Sequence, residues 1–160
     1  MLERVCRIIM QKFVFSPAAV FVRTILIADD SAFIRRVLEE MMHDDTLYQL
    51  IVAKNGAEAL EIASIIKPHL FLFDYQMSDM NGLQLYDMLH ARKGLRNIPA
   101  ILMSTELPRV EIERRNILGV EKPFHPNVLL RMVEGVIQST QIEPSSNSHG
   151  TTNAILSLAL

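Results

Sequence analysis

Three apolar runs and one weaker stretch of this sequence each stop on a side chain able to do polar chemistry. "TILIA" (24–28) runs into Asp29 and Asp30, "LFLF" (70–73) into Asp74, "AILM" (100–103) into Ser104 and Thr105, and "GVE" (119–121) into Lys122. Gathered in one place, carboxylates, a hydroxyl and an amine could attack, hold and neutralise a phosphoryl group. Asp74 would then be the nucleophile, forming an aspartyl phosphate. Taken singly, the same residues have plainer readings. Asp29 and Asp30 could cap a following helix, while Asp74, Asn81 and Gly82 could simply form a turn. Ser104 could end a strand, and Lys122 could be a solvated charge. Separate caps and turns have no reason to converge, so the chemistry depends on whether the chain brings these residues together.

The elements that must position them alternate in type. "TILIA" is too short for a helix and suits a strand buried on both faces. In "SAFIRRVLEEMM", Ile34, Val37, Leu38 and Met41 recur at helical spacing. "LIVA" (50–53) precedes "NGAEALEIASIIKP", where Leu60, Ala63 and Ile66 form a stripe that Pro68 closes. "LFLF" leads through Gly82 into "LQLYDMLHARKG", with Leu85, Leu89 and Met88 as packing candidates. "AILM" precedes the charged "ELPRVEIERRN", and "GVE" leads to "PNVLLRMVEGVIQ", where Leu129, Met132, Val133 and Val136 suit one face. Five strand–helix units predict an α/β fold: a parallel sheet, helices on both faces, right-handed crossovers. Ligands of such open sheets bind beyond the carboxyl ends of the strands.

If the strands are ordered 2-1-3-4-5, the first and third are neighbours, and Asp29, Asp30 and Asp74 crowd together. Two like charges about 4 Å apart cost roughly 4 kcal/mol at an effective dielectric near 20. A cation is therefore required. Oxygen ligands and a phosphate partner favour Mg²⁺, with Lys122 as a fixed positive charge and Ser104 as a hydroxyl donor.

The strings "ILIADDSAFIRR", "FLFDYQMSDMNG", "ILMST" and "EKPF", in this order, resemble those of response-regulator receiver domains of two-component signalling, over residues 23–138. The resemblance implies a doubly wound, flavodoxin-like five-stranded sheet in the order 2-1-3-4-5. It implies that Asp30 and Asp74 ligate Mg²⁺ directly, Asp29 through water, and Gln76 by its backbone carbonyl. Asp74 is by the same token the phosphoacceptor, Ser104 and Lys122 contact the phosphoryl oxygens, and the Lys122–Pro123 bond is cis. The sequence also departs from the family pattern. Ser78 stands where proline is usual, Thr105 where a smaller residue is common, and Gly119 where receivers carry a tyrosine or phenylalanine that swings inward on activation. The stretch from Ser104 to Lys122 is short, so a reduced or irregular fourth helix is expected.

The totals agree with one such domain. The chain has 160 residues, 49% of them hydrophobic, enough for a real core. A formal charge of -2 provides no basic field for nucleic acid or anionic lipid. Cys6 is the only cysteine, which excludes an intrachain disulfide and suits a reducing, cytoplasmic setting. Residues 1–22 are expected to be a loosely packed extension. Their run "FVFSPAAVFV" is broken by Ser16 and Pro17 and is far short of the roughly 20 apolar residues a membrane span needs. Residues 139–160, rich in Ser, Thr and Asn, read as a disordered tail.

The expected function is that of a phosphoacceptor rather than an enzyme with its own substrate. A sensor histidine kinase or histidine phosphotransfer protein would supply the phosphoryl group, and a downstream protein would read the result. The alternative is a phosphorylation-independent interaction module that keeps the acidic pocket but has lost the switch. A metal-dependent phosphatase ranks last, because Gln76 stands where such enzymes place a second aspartate.

Overall fold

The computed structural model describes residues 22–42 and 48–140. The proposed extension and tail therefore lie almost wholly outside the described residues. Five strands, β1 (Arg23–Ala28), β2 (Tyr48–Ala53), β3 (Leu70–Asp74), β4 (Ala100–Ser104) and β5 (Leu118–Glu121), alternate with α1 (Ala32–Met42), α2 (Gly56–Ile65), α3 (Gly82–His90), α4 (Arg109–Arg115) and α5 (Pro126–Ser139). The strands make one sheet in the order β2-β1-β3-β4-β5, every pair parallel. This is the flavodoxin-like, doubly wound arrangement expected from the sequence.

Alternation along the strands divides the core. Leu26, Ala28, Ile51, Ala53, Phe71, Phe73, Ala100 and Leu102 join one cluster with Leu60 and Ile62 of α2, Leu85 and Leu89 of α3, and Ile112 of α4. The intervening residues Ile25, Ile27, Leu70, Leu72, Ile101 and Met103 are just as buried. A sheet hidden on both sides explains why its strands read as unbroken aliphatic runs. The helices differ in detail from their sequence pattern. Met42, rather than Met41, joins Leu38 as a buried residue of α1, and Met88 of α3 is exposed.

Local sequence starts the helices cleanly. Asn55 accepts a hydrogen bond from the Glu58 N–H at the head of α2. Asn81 and Gln84 make a reciprocal capping box on α3, so Asn81, a candidate turn former in the sequence, is the N-cap of that helix. The fourth helix is short, as expected, with seven residues and no side-chain cap. So short a helix would not persist alone. It is held by Ile112 in the core and by Arg115, which bonds both Asp87 oxygens of α3 at 2.8 and 2.9 Å and Glu111 at 2.7 Å.

These elements up to Pro123 form one compact unit, and α5 belongs to a second that begins at Phe124. Within that second unit His125 caps α5: its Nδ1 accepts from the Asn127 N–H at 3.3 Å, with Pro126 in the first turn. Leu129, Val133, Val136 and Ile137 are the buried residues of this helix.

Candidate functional site

Sheet register brings the polar strand exits together. Ala28 pairs with Phe73, so Asp29 and Asp30 emerge beside Asp74. Asp74 pairs with Met103, one residue before Ser104, and Ser104 pairs with Glu121, one residue before Lys122. One carboxylate oxygen from each of Asp29, Asp30 and Asp74 lies within 4.8 Å of the others. Lys122 begins two strands away from Asp74 and reaches back across β4. Its Nζ donates to Asp74 Oδ1 at 3.0 Å and to Asp29 Oδ2 at 3.1 Å. The Lys122–Pro123 bond is cis, as the resemblance implied.

Burial makes these charges matter. Asp29 is fully buried, Asp74 is 7% exposed and Asp30 faces solvent. Burial pushes the Asp74 carboxyl above its ordinary range, against the hydrogen bond and charge of Lys122; the nearby Asp29 adds to the rise, and the Gln76 N–H opposes it. Asp29 is further satisfied by the Ser31 N–H at 2.8 Å. One ammonium among three carboxylates leaves negative charge to be balanced, and an all-oxygen set with an open, solvent-facing member suits a hard divalent cation that keeps some of its water. The residues present thus fit Mg²⁺.

The loop after β3 completes one wall. The Gln76 N–H works to lower the Asp74 pKa, and the Ser78 N–H donates to Asp30 Oδ2 at 3.0 Å. Ser104 is brought to the same edge but its hydroxyl is otherwise engaged. It donates to the Glu106 carbonyl at 2.6 Å and accepts from the Glu106 N–H at 3.1 Å. Thr105 beside it is exposed.

The sequence profile of the response regulator receiver domain matches residues 25–134. The chain belongs to the receiver-domain family of response regulators. It is 31% identical over 122 residues to a chemotaxis protein CheY homologue of Campylobacter jejuni, spanning 71% of this chain and 91% of that one. It is also 30% identical to the two-component response regulator ORR3 of Oryza sativa over 118 residues, 71% of this chain and 89% of the relative. Among solved structures, chemotaxis protein CheY4 of Vibrio cholerae superposes with a TM-score of 0.67 at 26% identity, covering 72% of this receiver and 98% of that chain.

Within this receiver, sequence reasoning singled out the acidic trio, Ser104 and Lys122, but missed Asp79. That carboxylate lies in the same loop and accepts N–H groups from Gly56 and Ala57, at the head of α2. A cap supplied from a residue over twenty positions away leaves no local pattern. Its only trace was an acidic residue among the turn formers of "SDMNG". The Gly119 departure also has a structural counterpart, since Leu107 and Ile112 close over that glycine.

Proposed function

We propose that this receiver accepts a phosphoryl group on Asp74 from the phosphohistidine of a sensor kinase or phosphotransfer protein, in a Mg²⁺-dependent step. The observation that carries the reading is the Lys122 ammonium bridging Asp74 and Asp29 beside an acidic trio. Asp29, Asp30, Asp74 and the backbone carbonyl of Gln76 would hold the cation, whose charge offsets that of the phosphoryl oxygens. An Asp74 carboxylate oxygen attacks phosphorus, the P–N bond to the donor imidazole breaks, and the imidazole leaves with the electron pair and takes a proton. Lys122 is placed to neutralise one phosphoryl oxygen. Ser104 would donate to another, which requires its hydroxyl to leave Glu106. That exchange gives the two forms different loop contacts and hence a basis for altered binding of a downstream protein. The unit responsible is taken as residues 23–138, working in the cytoplasm.

Incubation with Mg²⁺ and a small acyl phosphate tests this. Intact mass should rise by one phosphoryl group, hydroxylamine should remove it, and Asp74→Asn should abolish it. An unchanged wild-type mass would favour the second reading, a phosphorylation-independent interaction module. The packing of Leu107 over Gly119, where no aromatic ring is available to move, is the observation on that side.

A further inference from the structure

The loop that carries Gln76 and Ser78 is tied at its far end to the head of α2. Asp79 Oδ1 accepts from the Gly56 N–H at 3.1 Å and Oδ2 from the Ala57 N–H at 2.8 Å, and the Met80 N–H turns back onto Oδ1 at 3.0 Å. These are N–H groups of the first turn of α2, which have no partner within the helix and favour an anion. Burial raises the Asp79 pKa, and the N–H groups of Ala57, Gly56 and Met80 more than reverse it, so the carboxyl ends below its ordinary range. Met80 locks the same contact sterically. Its Cγ and Sδ crowd the place a Cβ on residue 56 would take, so any larger residue there would have to displace the Met80 side chain.

One residue before Asp79, the Ser78 N–H holds Asp30 Oδ2 in the acidic trio. The chain thus leaves β3 at Tyr75, whose N–H donates to the Met103 carbonyl, and is anchored at Asp79 on α2, with the Asp30 contact between.

We propose that Asp79 is a positioning residue for cation binding: by clamping the loop to the head of α2 it sets the Ser78–Asp30 contact and the backbone at Gln76. This rests on the reading of the acidic trio as a Mg²⁺ site. Residues that orient metal ligands from behind typically change metal affinity by about 10–100-fold when removed.

The test uses the full chain and Mg²⁺ titration calorimetry, with thermal unfolding of the metal-free protein alongside. Asp79→Ala should raise the Mg²⁺ Kd by about tenfold or more and speed hydrogen exchange at the Ser78 amide in metal-free protein. Asp79→Asn, which keeps one acceptor, should fall between it and wild type. Asn55→Ala removes the other cap of the same helix without touching the loop, so it should lower Tm yet leave the Kd unchanged. The proposal is overturned if Asp79→Ala binds Mg²⁺ as wild type does, or if Asn55→Ala weakens binding equally, which would reduce the effect to helix fraying. A wild-type protein that binds no Mg²⁺ would overturn the function proposed above and this inference together. Normal wild-type binding with an indifferent Asp79 would overturn only the inference.

Discussion

The δ-methyl carbons of Leu107 lie 2.8 and 2.9 Å from the place a Cβ on Gly119 would occupy, so the loop after β4 rests directly on the backbone of β5. Where most receivers keep an aromatic ring that can change position, this chain keeps a glycine and fills the space from the opposite side. Ile112 Cδ1, at 2.9 Å, completes the seal. The Ser104 hydroxyl holds the backbone of Glu106, the residue before Leu107, so one short loop joins Ser104 to the packing over Gly119.

Adding a side chain at Gly119 should expose this packing. Gly119→Ala is expected to cost about 1 kcal/mol by overpacking, and a Leu107→Ala background should relieve most of that cost. Urea unfolding of the two single variants and the double variant reads the coupling. Strict additivity would mean that Leu107 does not press on the glycine in solution.

Lys122 should hold the unliganded site together. It is 16% exposed, against 0% and 11% for the side chains of Asp29 and Asp74. Removing the amine strands two neighbouring carboxylates in a poorly hydrated place. Lys122→Met should destabilise the metal-free protein by about 3 kcal/mol at neutral pH, with Asp29→Asn restoring part of the loss. Denaturant midpoints that do not move would contradict the charge balance described here.

Mg²⁺ should stabilise the fold by mass action. At a free concentration a hundred times Kd the gain is about 2.7 kcal/mol, or roughly 10 °C in Tm for a domain of this size. Asp30 is exposed, so Asp30→Asn should leave the metal-free Tm nearly unchanged while erasing most of the Mg²⁺ response. Equal Mg²⁺ shifts in both proteins would place the cation elsewhere.

Acid should loosen the edge where β1 and β3 begin. His69 Nδ1 accepts from the Thr24 N–H at 3.0 Å, and its own N–H donates to the Thr24 carbonyl at 2.7 Å. Burial, joined by the charges of Arg23 and Lys67, lowers the His69 pKa from its ordinary 6.5. A proton on Nδ1 would also displace the Thr24 donor. Because the folded pKa lies below the unfolded one, the unfolded chain binds more protons between the two values. The contribution of His69 is thus complete above pH 6.5 and is lost as pH falls through the folded pKa. Stability should decline on acidification through this window, and His69→Asn, whose side-chain oxygen can still accept from Thr24, should flatten the decline. Parallel pH–stability curves for the two proteins would refute the assignment.

Much of this was legible in the sequence because parallel strands buried on both faces leave contiguous apolar runs, and the residues that end them share one sheet edge. The shortness of α4 could be read from the few residues between Ser104 and Lys122. What escaped depends on contacts without a local signature. The direction of the Ser104 hydroxyl is decided by its neighbour's backbone, the role of Asp79 by a helix that precedes it by more than twenty residues, and the space at Gly119 by Leu107. The exposure of Met88 and burial of Met42 escaped for a simpler reason: both sit at the border of an apolar stripe, where spacing alone does not decide which neighbour faces inward.

The polar groups of the site hang from four different strands, β1, β3, β4 and β5, and none of them is repeated elsewhere in the set. A protease that nicks the chain anywhere between Asp30 and Lys122 and lets the pieces part leaves no fragment with both the amine and the paired acids. A cut inside that span therefore dismantles the whole set at once, whereas one outside it leaves every member on a single piece.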